Sequence, residues 1–444
     1  MDALNVADDI IKLVKARGVE GEVVLSKYES TSISQRLMKP EEMLKDSGNR
    51  VGIRVIVDGK KYSCISSNDL NRSSALVEAA INMAKLSPED PYLSVSEEVG
   101  VYADSGGDLE LFDDTTVEVD GIREILLDME GAALEASDKV VNSEGASFSH
   151  TSSEVVLMTT KGFCGSYKKT YFSTSVSVVA SDNNKMEVDY SFSVKSRFSD
   201  LEDPKSIGKD AARRALRRLN AREFKTCKIP VLFENRVASS LISNFASAIN
   251  GSSIADKTSF LSDSMGKKLF SSDICIVDDP TMIGGISSRP FDGEGIVGKR
   301  KNVVENGILK SWILDMRTAK QLSLNTSGNA CRSDNASVSP GVSNFFLLGS
   351  NNSVEGLMSD IKRGLYITDL FGFGVNLTTG DYSQGAFGFM IEDGVITYPV
   401  SGITVAGNLR DMFASAVPAN DLVFLRSVNS PTLRFGDMVV SGVD

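Results

Sequence analysis

The sequence predicts an α+β protein of two domains, the first mixing helices with antiparallel strands and the second rich in β-strands. Up to about residue 220, apolar residues at helical spacing alternate with long stretches in which Ser and Thr alternate with apolar residues. Beyond that point most strands are short and are separated by Asp-Gly and Asn-Gly turns. A chain of 444 residues can bury more than one core. We therefore expect an N-terminal domain over residues 1–222 and a C-terminal domain over residues 223–444.

The N-terminal domain is predicted to contain helices and an antiparallel sheet. Apolar residues spaced three or four apart predict the helices, and two-residue alternation predicts the strands. In chain order we expect a helix over residues 1–18, strands over 22–38, 51–59 and 60–66, a helix from Asn68 or Asp69 to Lys85, a helix after Asp113-Asp114, a meander over 139–198 that turns at 181–184, and a helix over 204–220.

The C-terminal domain is predicted to open with a strand and a helix and then to become mostly β. Residues 229–233 form an apolar strand, and the apolar face from Val237 to Ile249 predicts a helix that Asn250-Gly251 ends. The later strands are expected to be separated by turns at Asp292-Gly293, Asn306-Gly307, Gly380-Asp381, Asp393-Gly394 and Gly407-Asn408.

Composition and charge exclude several functional classes. The net charge of −12 argues against a nucleic-acid binder, and Arg213, Arg214, Arg217 and Arg218 recur at helical spacing, which indicates one solvated helix face. The acidic N-terminus is unlike a signal peptide, and no apolar run approaches the ~18 residues of a membrane span. The five cysteines form no CxxC pair, so we expect reduced, mostly buried thiols. These features predict a cytoplasmic protein without nucleic-acid or membrane partners.

His150 is the only histidine in the chain, and this excludes much catalytic chemistry. A zinc site built on imidazoles needs at least two, and a catalytic triad would depend entirely on His150. It lies in a polar alternating stretch, so we interpret it as a solvated or hydrogen-bonded surface residue.

The glycine motifs and acidic pairs do not by themselves define a site. Residues 293–299 match GxxxxGK, but Arg300 replaces the Ser or Thr of a P-loop and a hairpin follows where a helix is needed. Residues 371–374 and 385–388 are interpreted as turn glycines. The carboxylates Asp278-Asp279, Asp292 with Glu294, and Asp381 are candidates for Mg²⁺ or Ca²⁺ binding or for an acid/base pair, and equally for turn caps.

Several stretches, ordered over nearly the whole chain, resemble the TldD/PmbA family, also called modulators of DNA gyrase. They include Val51-Gly-Ile-Arg-Val-Ile-Val-Asp-Gly59, Arg289-Pro-Phe-Asp-Gly-Glu-Gly295 and Thr379-Gly-Asp-Tyr-Ser-Gln-Gly-Ala-Phe-Gly-Phe389, together with residues 66–70, 258–266, 306–309 and 403–412. No single stretch is specific, but the ordered set is.

The resemblance implies which branch of the family is present. TldD-like members resemble metallopeptidases, with HExxxH on a helix near the start of the second domain and a late cysteine as a further zinc ligand. The matching helix here runs from Arg236 to Ile249, with Ser239 and Asn244 at about the histidine positions and no glutamate between them. Residues 421–444 contain no cysteine. The chain therefore resembles the PmbA (TldE) branch, which lacks zinc, and we expect no catalytic residue, metal ligand or cofactor in it.

The resemblance also implies a function and partners. We expect a heterodimer with a TldD-type subunit that holds zinc, acting as a peptidase that removes leader peptides and degrades extended or unfolded peptides. The motif residues expected to line the peptide chamber are Asp292, Glu294, Gly295, Gly380, Asp381, Ser383 and Gly385. Two alternatives stay open: a stand-alone peptide-binding homodimer without protease activity, and a hydrolase that uses carboxylates with another metal.

Overall fold

The computed structural model describes residues 3–102, 106–333 and 336–442, and it confirms the predicted α+β class. The N-terminal half is one seven-stranded sheet with helices packed on it. Its helices are α1 (Ala3–Ala16), α2 (Ser73–Leu86), α3 (Val119–Leu134) and α4 (Pro204–Arg218), and its strands are β1 (Glu20–Arg36), β2 (Lys39–Val57), β3 (Lys61–Ser67), β4 (Gly100–Tyr102), β5 (Val140–Thr159), β6 (Phe163–Asp182) and β7 (Lys185–Lys195).

This sheet runs in the order β3-β2-β1-β5-β6, and both β4 and β7 pair with β6. Only the β4–β6 pairing is parallel among the pairings of these strands. Because side chains alternate between the two faces of a strand, Val23 and Leu25 of β1 point with Val156 of β5 toward α1 and α2. Farther along the same face, Phe148 packs with α3 and α4. The opposite face of the sheet is thus left for the C-terminal half.

The C-terminal half contains a closed ring of strands. Five strands follow one another in the order β15-β8-β21-β18-β17, and β15 also pairs with β17, so the ring closes. The helices of this half are α5 (Asn235–Ala248), α6 (Gly251–Ala255), α7 (Met316–Gln321), α8 (Val354–Met358) and α9 (Leu409–Ser415). Its strands are β8 (Cys227–Phe233), β9 (Ile276–Asp279), β10 (Lys301–Glu305), β11 (Ile308–Leu309), β12 (Ala330–Arg332), β13 (Val338–Pro340), β14 (Asn344–Leu347), β15 (Arg363–Phe371), β16 (Val375–Asn376), β17 (Asp381–Glu392), β18 (Val395–Asn408), β19 (Val417–Pro418), β20 (Val428–Asn429) and β21 (Leu433–Ser441).

A second sheet and one large core complete this half. The sheet has the order β11-β10-β9-β14-β20, while β12 and β13 form a separate hairpin. Leu241 and Phe245 of α5 are fully buried in the same core as Phe233 of the ring and Phe345 of β14. Helix α5 is therefore held rigidly between the ring and the second sheet.

Two local predictions were wrong, the one for residues 39–50 and the one for Gly407-Asn408. The structure extends β2 back to Lys39, although its first residues are polar and exposed, because β1 pairs with them along its whole length. The predicted end of the helix before Asn250-Gly251 is confirmed, since α5 ends at Ala248, and the Asn250 side chain caps the next helix, α6, by accepting from the Ser252 amide. Gly407 lies within β18 rather than in a turn, and Asn408 caps α9. Each difference arises from pairing or capping that a local pattern does not reveal.

The arginines of α4 do not form a freely solvated face. Arg214 pairs with Asp210 at 2.7 Å and with Glu234 at 3.2 Å, and Arg218 pairs with Asp369 at 3.0 Å. Glu234 and Asp369 belong to the C-terminal half, so α4 joins the two halves through ion pairs. Within the described ranges, no helix is long and apolar enough to cross a membrane.

Candidate functional site

The helix that the family resemblance singles out is α5, and both Ser239 and Asn244 line a cavity of about 430 Å³. The end of β15 and residues 426–428 form other walls of this cavity. Tyr190 of β7 closes it from the N-terminal half. The cavity therefore lies where the two halves of the chain meet.

The groups in the α5 cavity do not suit a zinc ion, which prefers thiolate, imidazole and carboxylate ligands. The Ser239 hydroxyl donates to the carbonyl of Arg236 at 2.8 Å and so serves the helix. The carboxylate of Asp369 accepts from Arg218 at 3.0 Å, and the guanidinium groups of Arg236 and Arg426 add positive charge to the lining. Throughout the part of the chain that the structure describes, no three His, Cys, Asp or Glu side chains are grouped as metal ligands.

Both arginines of the α5 cavity are held by aromatic rings of β7. The guanidinium of Arg236 lies 4.4 Å from the centre of the Tyr190 ring, and that of Arg426 lies 5.2 Å from the centre of the Phe192 ring. Such contacts orient a guanidinium. Arg236 also forms an ion pair with Asp189 of β7 at 3.5 Å, which balances part of its charge. Chemically, the cavity thus offers guanidinium and amide donors to carbonyl or carboxylate groups, while the hydroxyl protons of Ser239, Ser240 and Ser243 are donated to helix carbonyls.

The motif at residues 289–295 lies against the free face of the N-terminal sheet. Lys169 and Tyr171 of β6 both donate to the carbonyl of Ile286, at 2.6 and 2.8 Å. Asp292 organises the motif itself: its carboxylate accepts from the backbone amides of Glu294, Ile296 and Ala330 at 2.8 to 3.0 Å. Asp292 is therefore primarily a turn-forming residue, as one of the open interpretations proposed.

Glu294 is buried in a cluster of charges between the halves. It is 1% exposed and its carboxylate accepts from the Met316 amide at 2.9 Å. The guanidinium of Arg54 lies 3.0 Å from Glu22 and 4.0 Å from Glu294. Glu22 also accepts from Arg332, which is 310 residues away in the chain.

Burial shifts the pKa values of two residues in this region, Glu294 and Lys169. Burial, together with the nearby carboxylates of Glu22 and Asp292, raises the pKa of Glu294 to about 8. Burial and the charge of Arg289 lower the pKa of Lys169 to about 7. Near neutral pH, Glu294 is therefore mostly protonated and uncharged, and Lys169 is present in both its charged and its neutral form. Residues with pKa values shifted in this way often lie at functional sites.

The remaining motif residues are divided between this region and the start of β17. Gly295 has φ +82° and a Cβ there would lie 2.9 Å from the Phe163 ring, so it allows the halves to approach closely. Gly380 (φ +84°) is the turn residue just before β17, and Asp381 begins that strand, its carboxylate accepting from the Thr379 hydroxyl at 2.6 Å. Ser383 is an exposed residue of the same strand, and Gly385 faces the Phe371 ring. The structure thus brings Asp292, Glu294 and Gly295 together and puts the other four at the start of β17. Their contact with a peptide stays a prediction.

His150 is half-buried and lines a cavity of about 680 Å³, so it is less solvated than we expected. Its ring stacks on Phe172 of β6, with centres 4.4 Å apart, and its buried Nε2 has no partner among the described residues. Burial lowers its pKa. The five cysteines are free thiols but are half-buried rather than buried.

Sequence reasoning missed several charged residues of the interface. Glu22, Lys169 and Arg332 gave no local signal, because their partners are distant in the chain. Arg54 did give one, since it is a single charge within an otherwise apolar strand. Arg289 belongs to a motif that we recognised, although we did not select it as a site residue.

Comparison with known proteins agrees with this architecture. Family models described as PmbA/TldA metallopeptidase domain 1, central domain and C-terminal domain match residues 21–86, 112–219 and 226–442. A protein of Escherichia coli O157:H7 named Metalloprotease PmbA is 35% identical over 97% of this chain and 94% of its own length.

Two solved structures have the same fold. A putative modulator of DNA gyrase from Bacteroides thetaiotaomicron superposes with a TM-score of 0.89 at 26% identity, covering 99% of this chain and 98% of that one. TldE from Thermococcus kodakarensis superposes with a TM-score of 0.83 at 20% identity, covering 98% of this chain and 100% of that one, which shows the fold alone. From the matched domains and the full-length similarity, the chain belongs to the PmbA/TldD metallopeptidase family.

Proposed function

We propose that this chain is the PmbA/TldE-type subunit of a heterodimeric cytosolic peptidase whose TldD-type partner supplies the zinc ion. The pair removes leader peptides from precursors and degrades extended or unfolded peptides, and this chain alone is catalytically silent. The observation that carries the proposal is the lining of the α5 cavity. Hydroxyl groups and arginines occupy the place where a zinc peptidase needs imidazoles.

The name of the E. coli relative and the chemistry of the cavity then fit together. That relative is called a metalloprotease, which favours a role in proteolysis. The donors around Ser239 and Asn244 do not suit a metal in this chain. A second subunit that carries the metal reconciles these two observations, and it leaves this chain the task of holding the substrate.

Two features support the holding of an extended peptide. The guanidinium groups of Arg236 and Arg426 and the side-chain amide of Asn244 can donate to peptide carbonyls or to a terminal carboxylate. In addition, residues 39–50 of β2 pair only with β1 among the described strands. A free strand edge of this kind binds extended chains through main-chain hydrogen bonds, whatever their sequence.

The test compares this chain, a TldD-type chain and their mixture, each with an unfolded peptide as substrate. We expect zinc only in the partner, cleavage only by the mixture, and loss of cleavage on adding a chelator. Zinc bound stoichiometrically to this chain, or cleavage by this chain alone, contradicts the proposal. In the active mixture, Arg236→Gln is expected to raise KM, whereas Arg123→Gln, on the exposed side of α3, leaves it unchanged.

A stand-alone peptide-binding homodimer is the second candidate, and the long free edge of β2 favours it. The two candidates differ in what accompanies the chain in its native cell. Co-purification with an HExxxH-bearing subunit supports the heterodimer, and repeated recovery without one supports the homodimer.

A further inference from the structure

A second cavity, of about 320 Å³, lies between the free face of the N-terminal sheet and the segments around residues 289–293 and 330–333. Val24 and Leu157 form its wall on the sheet side, and Phe291, Arg289 and Cys331 form its wall on the other side. It does not include α5 and is separate from the cavity used in the proposed function.

Arg289 is the unusual group in this cavity. Its Nη1 donates to the Sγ of Cys331 at 3.1 Å, while its Nε and Nη2 are buried and have no hydrogen-bond partner in the described ranges. A buried donor without a partner is costly, and more so when it carries charge. Nε and Nη2 form one edge of the planar guanidinium, and this edge is the fork that binds both oxygens of a carboxylate.

The charge of the lining favours an anion. Among the described residues, three guanidinium groups line the cavity, those of Arg50, Arg289 and Arg332, against one carboxylate, that of Asp292. That carboxylate already accepts from three backbone amides and is not directed at Arg289 as a bonded partner. Arg332 is already paired with Glu22. Arg289 is therefore the guanidinium whose charge an anionic ligand would balance.

We propose that this cavity binds a carboxylate carried on a small apolar body. Arg289 provides the fork for the carboxylate, and the walls formed by Val24, Leu157 and Phe291 accept the apolar part. Such a group occurs at the C-terminal residue of a peptide and in a free small carboxylic acid. The inference does not rest on the proposed peptidase function, because it uses only the chemistry of this cavity.

Cys331 provides a direct probe, since its thiol lies beside Arg289 in the same cavity. Iodoacetate and iodoacetamide both alkylate a thiol with loss of iodide, but only iodoacetate carries a carboxylate. In the full-length protein, we expect the iodoacetate-to-iodoacetamide rate ratio at Cys331 to exceed that at Cys275 by about tenfold, the effect of one charge-assisted pairing. Peptide mass spectrometry after timed quenching measures both sites.

Three variants distinguish binding by the fork of Arg289 from a general effect of positive charge. Arg289→Gln is expected to reduce the rate ratio at Cys331 to that at Cys275, while Arg123→Gln leaves it unchanged. Equal ratios at the two cysteines of the unaltered protein, or a ratio that Arg289→Gln does not change, overturn the proposal. Because the glutamine variant removes a buried charge and can fail to fold, Arg289→Lys, which keeps the charge and loses the fork, is measured beside it, and it is expected to lose most of the preference.

Protection of Cys331 identifies the source of the carboxylate without any variant. The probes are N-acetyl-Ala-Ala-Leu with a free C-terminus, the same peptide as its amide, and isovalerate. We expect slower alkylation of Cys331 by iodoacetamide with a carboxylate present and no slowing with the amide. Protection by the acid peptide alone assigns a peptide C-terminus, and protection by isovalerate assigns a free small acid as well. The absence of protection by either acid, or equal protection by the amide, refutes the site.

Discussion

Replacing Glu294 by glutamine tests whether contact between the two halves keeps a carboxyl group protonated near neutral pH. Burial raises the pKa of this group from 4.5 to about 8, and Glu22 and Asp292 add to the shift. Arg54 and the Met316 amide oppose it, but they do not outweigh burial. Glutamine keeps an oxygen that accepts from the Met316 amide and has no proton to lose, so it mimics the protonated form.

The magnitude follows from the linkage between protonation and folding. A carboxyl group with a raised pKa stabilises the folded protein fully below its unfolded pKa, and this contribution is lost as pH rises through the folded pKa. For Glu294 the window runs from pH 4.5 to about 8 and corresponds to about 5 kcal/mol at most, or about 1.4 kcal/mol per pH unit. The free energy of unfolding of Glu294→Gln, relative to the unaltered protein, should therefore rise across this window and then level off.

Fluorescence of Trp312 provides the assay, because it is the only tryptophan and is buried in the core of the C-terminal half. Urea denaturation of both proteins at about pH 5.5, 7 and 8.5 measures the difference in unfolding free energy. Glu355→Gln, at an exposed position of α8, is the matched control and should show a constant difference. A constant difference for Glu294→Gln over the same range would falsify the assignment of a raised pKa.

The remaining predictions concern packing and buried polar groups. Gly208→Ala should destabilise the protein by about 1–3 kcal/mol, because its Cβ would lie 2.1 Å from the Met129 carbonyl of α3. Gly121→Ala, with 3.8 Å to its nearest neighbour, should be neutral or stabilising in the same thermal denaturation experiment. Asp278→Ala should cost about 3–5 kcal/mol, since the fully buried carboxylate accepts from three donors at 2.7 to 2.8 Å; a midpoint of urea denaturation unchanged from the native protein would contradict this role. Lys169→Met should differ from the native protein in a pH-dependent way: the native Lys169, with its pKa lowered to about 7, destabilises the fold most below that pH, and this penalty fades as pH rises toward 10.5. Denaturation midpoints of the two proteins at several pH values above neutrality measure this, and a constant separation would refute it.

Much of the fold could be predicted because its elements have strong local patterns. The helix at α5 follows from an apolar face that includes Leu241 and Phe245, both of which the structure buries. The hairpin at residues 51–67 follows from apolar strands around an Asp-Gly turn. The first part of β2 could not be predicted, since residues 39–50 are polar and exposed and are a strand only because β1 lies beside them.

The candidate sites were predictable only in part. Ser239 and Asn244 could be selected from the family resemblance, and the structure adds that they face a cavity bordered by two arginines. The role of Arg289 could not be predicted, because a lack of hydrogen-bond partners is a property of the folded neighbourhood. The same holds for His150, whose burial depends on Phe172 of the adjacent strand.

The sequence by itself determined the α+β class, the order of most elements, the family, and the lack of histidines at the helix where zinc peptidases need them. These properties depend on local periodicity and on residue identity, which require no knowledge of distant contacts. Only the tertiary structure decided which charges meet. It paired Glu22 with Arg332 across 310 residues, enclosed Glu294 between the two halves, and left one edge of Arg289 without a partner. Burial and Coulomb interactions are set by distance and dielectric environment in space rather than by separation along the chain, and for that reason the cavities and their proton affinities emerge only when the two halves pack together.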